Sequence, residues 1–431
     1  MRLRTAWRAM VCAGLTAGLA FGLAVPAQAA TIAVLPFRMD ASNQAGWWKP
    51  IDEFNGRVYV AYNAWGSASA GGSGDTHTVY VASRDASDPA GTWTRGCVKA
   101  SATAECTVFG DDIGHNNPTV VVDGDGFIHA FVSMHNHDWR YYRSTVPGDV
   151  TTLVRATMPD TGKFTYPNAT RVNNGDVYLI VREYSTEGEG RLYRWNNAAN
   201  TWSRVATFAR DNSYVVYPDD VIGDANGDVH IAWEWAYDSA NGLRHYGSYV
   251  RYSPATNTFH NAAGAALSLP VTHTSPIIYQ PIEAAETPIG RDNAAGLQSA
   301  KLSLNQATGR PIVAYRYRSS PAPAPFRVKL AEWNGAGWVR SVVYGGAYDT
   351  YAAVDITTFG ASGIRVYYAK MQTIADDHAF VATRSGTTWS ETLLLSNVPI
   401  ERLAVTRRGT TDHLYLASPG THQLFYGTHD W

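Results

Sequence analysis

The sequence predicts an all-β chain closed into a single seven-bladed β-propeller, and three observations predict it. A hairpin pattern recurs seven times: an alternating apolar run, a Gly/Asn/Asp turn and a second apolar run. With their turns, the second runs read NGRVYVAYNAW (55–65), DGFIHAFVSMH (125–135), NGDVYLIVREY (174–184), NGDVHIAWEW (226–235), TGRPIVAYRY (308–317), SGIRVYYAKM (362–371) and TDHLYLASP (411–419). Asn-Gly and Asp-Gly between alternating runs form the strongest short-range hairpin signal. Strand pairs with a tryptophan cue follow several of these hairpins, as in AGTWTR (90–95), NTWSR (200–204), GAGWVRS (335–341) and GTTWSE (386–391). Finally, the composition is even, with no Pro/Ser-rich linker, charge block or long amphipathic helix. Four strands per repeat and seven repeats make one propeller domain over 30–431.

Taken in chain order, residues 1–29 read as a secretion signal. Arg2, Arg4 and Arg8 form a basic start, an apolar stretch follows, and Ala27-Gln28-Ala29 is a small-x-small cleavage site. No later run is long enough to span a membrane, so the mature protein is expected to be secreted and soluble, and a monomer is expected. TIAVLPFRM (31–39) and HQLFYGTHDW (422–431) are expected to pair and close the ring, which removes exposed sheet edges. Cys97 and Cys106 are expected to form a disulfide in an oxidising compartment. The zinc alternative lacks a CxxC spacing. Losing the signal moves the formal charge from −2 to −5, since it carries three arginines and no acid. That balance argues against nucleic acid but leaves room for an anionic sugar held by local cations.

Chemistry concentrates at one end of two neighbouring hairpins. In a propeller blade the turn between the two inner strands lies on one face of the disc, and the outer ends of both strands lie on the other. His115 precedes its turn by eight residues and His135 follows it by nine, so both belong at the mouth opposite the turn. Tyr166 and Arg182 hold the same places in the next repeat, and Tyr217 holds it in the fourth. Trp233 and Trp235, with Glu234 between them, close that fourth hairpin. The segment 254–299, with IIYQP at 277–281, reads as a substrate-shaping loop. The expected substrate-binding set is Tyr217, Trp233, Trp235, Arg244, His245 and Tyr279. Each residue also has a plain structural reading. His115 can cap a strand, His129 sits mid-strand and reads as buried and structural, and Arg182 can pair with Glu183 or Asp220. Together, two histidines, a tyrosine and an arginine at one mouth offer acid/base groups beside a carboxylate receptor.

The hairpin GHNNP…DGDGFIHAF…H resembles the second-blade signature of the BNR-repeat polysaccharide lyases. These include the seven-bladed ulvan lyases of families 24 and 25 and the rhamnose–glucuronate lyases that trim gum arabic. SRDASDPAGTW (83–93) looks like a degraded Asp box of BNR repeats. The resemblance covers the mature chain in blade count and is specific over 115–184. It implies that His115, His135, Tyr166 and Arg182 are catalytic, acting on an acidic polysaccharide. Such an enzyme removes the proton at C5 of a uronate and expels the oxygen on C4. Arg182 would neutralise the carboxylate, since a guanidinium binds it through two parallel hydrogen bonds. His115 leads as base, Tyr166 serves as acid or in both roles, and His135 binds or assists. The scheme requires no cofactor, and no metal ligand is assigned; a structural ion remains open. Two rivals stand beside it: a propeller hydrolase of the rhamnosidase kind and a non-catalytic sugar-binding propeller. Sialidases need three arginines around a carboxylate, a constellation not found here.

Overall fold

Each predicted turn joins two antiparallel strands through a loop of two to six residues. At the first, Asn55 and Gly56 take φ of 49° and 77°, the left-handed pair that a two-residue loop needs to match the twist of its strands. The structure, a computed structural model, describes residues 29–43, 46–65, 76–88, 91–110, 116–184, 188–236, 244–281, 296–319, 324–373, 376–396 and 398–431, without the side chains of 244–245, 372–373 and 376–377. Seven antiparallel sheets result, one per hairpin, arranged as a seven-bladed propeller.

The two inner strands of each blade, in order, are Ile51–Phe54 and Arg57–Ala64, Thr119–Val122 and Ile128–Phe131, Phe164–Arg171 and Val177–Glu183, and Val215–Gly223 and Val229–Ala236. Blades 5 to 7 follow with Gly296–Leu304 and Pro311–Arg318, Thr350–Phe359 and Gly363–Thr373, and Arg402–Arg408 and Thr411–Ser418. Trp202, Trp338 and Trp389 fall in fourth strands, as their cue predicts. The ring closes where expected: Thr31–Arg38 is the outermost strand of blade 7 and pairs with Gln423–Asp430, Val34 facing Phe425. Cys97 and Cys106 form the expected disulfide, with Cα atoms 5.6 Å apart.

The core lies between blades. Ile180 and Leu192 of blade 3, for instance, pack against Val229, Ile231, Trp233 and Trp235 of blade 4. Neighbouring turns touch on the turn face: a Cβ on Gly124 would meet the Cα of Gly175 at 2.4 Å. Only glycine permits that approach, which the bond from Gly124 N to Gly175 O (3.0 Å) uses.

One segment crosses the channel. Lys49 pairs with Asp220 of blade 4 (2.7 Å), and its backbone N–H donates to Thr119 Oγ1 of blade 2 (3.1 Å). Trp47 O accepts from Asn168 of blade 3 (3.3 Å), and Gly46 O accepts from Ser299 of blade 5 (3.2 Å). Residues 46–49 therefore plug the mouth-side end of the channel. No described helix is long and apolar enough to cross a membrane.

Candidate active site

Alternation along blade 3 decides where Arg182 points. It pairs with Thr165 across the hairpin and shares a sheet face with Ile180, which packs toward blade 4. Its guanidinium therefore enters the cleft between those blades. There its Cζ lies 4.5 Å from the ring centre of Tyr217, 4.8 Å from Tyr166 and 5.3 Å from Tyr184. Tyrosine faces stabilise a cation by roughly 0.5–2 kcal/mol, but they do not satisfy its N–H groups. Arg182 is only 3% exposed, and its Nε and Nη1 have no hydrogen-bond partner among the described residues. Both carboxylates offered by the sequence are engaged elsewhere: Glu183 with Arg191 (3.2 Å) and Asp220 with Lys49 (2.7 Å). A buried donor without a partner costs about 1–3 kcal/mol, a cost that an incoming carboxylate would remove. Tyr184, 39% exposed, is where this cluster reaches solvent.

Tyr166 is held in the same cleft by an unusual backbone. The inner strand of blade 3 bulges between Thr165 and Asn168, and Tyr166 takes φ +59° immediately before Pro167. A left-handed conformation costs a non-glycine residue about 1–2 kcal/mol, and a following proline favours extended backbone instead. Packing imposes it: the Tyr166 ring lies 5.3 Å from Trp48, 5.9 Å from Trp47 and 5.4 Å from Tyr217. Strained aromatics of this kind concentrate at functional sites.

Blade 2 supplies the histidine side. His135 is half-buried. The next two residues are stitched to the start of the inner strand of blade 3, Asn136 N donating to Thr165 Oγ1 (2.8 Å) and His137 N to Phe164 O (3.3 Å). His135 thus stands one residue from the contact that precedes Tyr166. Burial, then Arg140 and His135, lowers the pKa of His137. His115 lies outside the described residues. Asn117, two residues on, is fully buried with neither carboxamide atom bonded among the described residues. It precedes Pro118 as Tyr166 precedes Pro167, six residues before the equivalent turn residue in each case, so Asn117 and not His115 is the counterpart of Tyr166, and the expected equivalence of the two repeats is shifted by two residues. His129 is structural, as its mid-strand place implies: Nε2 meets Asp123 Oδ2 (3.0 Å) and Nδ1 meets the Tyr141 hydroxyl (2.8 Å). Burial lowers its pKa.

Behind Tyr217 lies a pair of buried acids. Burial, followed by the neighbouring Glu234, raises the pKa of Asp219 well above the usual carboxylate range. One oxygen of each fixes blade 5: Asp219 Oδ1 accepts from Ala300 N (3.1 Å), and Glu234 Oε1 accepts from Ser299 N.

Several expected binding residues are placed otherwise. Trp233 and Trp235 are fully buried, edge-on to each other and packed in the core with Phe208, so neither ring presents a face to a sugar. The segment 254–281 is not an open loop. Ile278–Gln280 pairs with the third strand of blade 4, which buries Tyr279 completely against Gly247, Tyr315 and Trp338. Arg244 and His245 begin a strand, but their side chains lie outside the described set. Tyr217 stands in the cleft. Trp47, Trp48 and Asn117 were not anticipated; the only hint was a Trp-Trp pair outside any strand pattern and the Asn-Pro that mirrors Tyr-Pro. Among the described residues no cluster of three or more His, Cys, Asp or Glu is placed to hold a metal.

With the geometry established, comparison supplies a family. The model of the BNR repeat-containing family matches residues 57–345. The chain belongs to the BNR repeat-containing family. An ulvan lyase of Alteromonas sp. (strain LOR) is 23% identical over 191 residues, 37% of this chain and 39% of that one. An ulvan lyase, PL25, of Pseudoalteromonas sp. (strain PLSV) is 21% identical over 259 residues, 52% of this chain and 51% of that one. The chain thus matches about half the length of these relatives, or less. Among solved structures, polysaccharide lyase Uly1 superposes with a TM-score of 0.62 at 13% identity, covering 90% of both chains. A PL25 ulvan lyase bound to –[GlcA(1-4)Rha3S]– superposes at 0.64 with 15% identity, covering 92% of this chain and 96% of that one. At these identities the structural likeness establishes the shared propeller fold.

Proposed function

We propose that this BNR-repeat propeller is a secreted polysaccharide lyase that cleaves a 4-linked uronate by β-elimination. The observation that carries the reading is Arg182: a buried guanidinium, ringed by tyrosines, with two N–H groups directed at no described acceptor. A uronate carboxylate would accept from those donors, and fixed donors aimed at developing charge are a strong source of rate enhancement. The ulvan lyases among its relatives support the same class, and glucuronate or iduronate beside rhamnose is the favoured target.

In the proposed step the C5–H bond breaks and its proton passes to a base, with His115 the leading candidate. The C4–O bond then breaks, the leaving oxygen takes a proton from Tyr166, and a C4=C5 double bond remains. Arg182 holds the carboxylate while charge builds on it, and His135 binds or assists. The reaction draws on no cofactor. The basic, apolar start of the sequence is the feature that supports export.

The test offers the mature protein ulvan, gum arabic and heparinoids and follows the near-ultraviolet absorbance of the unsaturated uronate. Wild type should generate it on at least one polymer, and His115→Ala and Arg182→Ala should not. Saturated products would indicate a hydrolase, and binding without cleavage would indicate a lectin.

A further inference from the structure

Arg182 has a counterpart two blades on. In blade 5, Arg316 pairs with Gln298 across the inner hairpin, just as Arg182 pairs with Thr165. In both blades a bulge follows at once, with a left-handed residue in it: Tyr166 at φ +59° and Ser299 at φ +59°. Arg316 shares its face with Ala314, which packs toward blade 6, so it points to the next blade as Arg182 does. It too lies on an aromatic ring, Phe326, at 3.8 Å. It is 8% exposed, and its Nε has no partner among the described residues. Nη1 donates to Gln298 Oε1 (2.7 Å).

No described carboxylate forms an ion pair with Arg316. Asp349, the acid that acts most strongly on it, already accepts from Phe326 N (2.7 Å) and Thr350 N (2.8 Å). Arg318 faces the same Phe326 ring at 4.4 Å and adds positive charge. Burial lowers the pKa of Arg316 to about 9, which leaves it charged at neutral pH.

The two arginines share one mouth. Glu234, which faces Tyr217 across blade 4, acts electrostatically on Arg316, while Arg182 stacks on that same Tyr217. Face-to-face sheets lie about 10 Å apart, so two blade intervals separate the guanidinia by roughly 20 Å at most, a span of a few sugar units.

We propose that Arg316, aided by Gln298 and Arg318, is a second oxyanion receptor that grips another acidic group on the same polysaccharide chain. The group is a carboxylate or a sulfate ester. The inference rests on the acidic-polysaccharide reading but not on catalysis, since a receptor binds whether or not the chain is cut.

Calorimetry tests it with a long acidic oligosaccharide, its desulfated form and a disaccharide too short to reach both arginines. The proteins compared are wild type, Arg316→Met and Arg316→Lys. Arg316→Met should bind the long chain about ten- to a hundredfold more weakly and the disaccharide as well as wild type, with Arg316→Lys between. If sulfate is the ligand, desulfation should weaken wild type by the same factor and leave Arg316→Met unchanged. If carboxylate is the ligand, the ratio of wild type to variant should survive desulfation. Arg316→Met should also melt no lower than wild type, since it removes a buried charge that lacks an ion-pair partner. Equal long-chain affinity in wild type and Arg316→Met, or a melting temperature well below wild type, would overturn the proposal. Binding of both chain lengths without any unsaturated product would leave the receptor standing and defeat only the lyase reading.

Discussion

The two ends of the same hairpins are built differently. At the turn end, His129, His230 and Arg171 each meet a carboxylate. His129 has a partner on each ring nitrogen; His230 repeats the motif with Tyr249 (2.7 Å) and Asp224 (3.4 Å); Arg171 meets Asp52 at 3.1 Å. At the mouth end, Arg182, Asn117 and Arg316 keep polar atoms without described partners. Folding alone explains the first set, because buried polar groups are normally satisfied. Arg182 and Arg316, by contrast, meet no described carboxylate, which is where the proposed acidic substrate would supply one.

Breaking the mouth end should cost function and spare the fold. Arg182→Ala should lower kcat/KM on a uronate polymer by about a thousandfold, with circular dichroism unchanged. Tyr166→Phe should follow, reducing kcat by about a hundredfold or more with little change in KM. Breaking the turn end should do the reverse. His129→Ala strips Asp123 and Tyr141 of a shared buried partner and should lower stability by about 2–4 kcal/mol, read by urea denaturation, while activity per folded molecule stays within twofold.

A subtler effect depends on pH. His77, on the third strand of blade 1, is buried against Ser133 (2.8 Å). Burial pushes its pKa down to about 4 from an ordinary 6.5. Between those values the unfolded chain takes up a proton that the folded chain refuses, so this residue's contribution to stability falls as pH drops from 6.5 toward 4. Compared with His77→Gln, the stability advantage of wild type should shrink by up to about 3 kcal/mol over that window. A constant gap would mean that His77 does not titrate differently in the two states.

Alternation made much of this legible in the sequence. Counting from each turn brought Tyr166 and Arg182 to one mouth, and the end segments declared their pairing. The same rule, applied residue by residue, also explains what was misplaced. In WEW, Trp233 and Trp235 share parity with Ile231 and face the core toward blade 3, whereas Glu234 between them faces blade 5. Tyr279 reads as a loop residue because its short strand, Ile278–Gln280, is created by pairing with blade 4 rather than by its own pattern. Trp47 and Trp48 carry no periodicity at all. Their place is fixed by contacts with inner strands far along the chain, such as Asn168 with Trp47 and Ser299 with the adjoining Gly46, which no local signal encodes.

Arg182, with its Nε and Nη1 unbonded among the described residues, is the proposed carboxylate receptor. The most direct test of that role compares the affinity of a uronate oligosaccharide with that of its methyl ester, in wild type and in Arg182→Ala. Wild type should prefer the free acid by about a hundredfold or more, about 3 kcal/mol for a charge-assisted pair, and Arg182→Ala should bind both equally. An undiminished preference for the acid in Arg182→Ala would contradict the account.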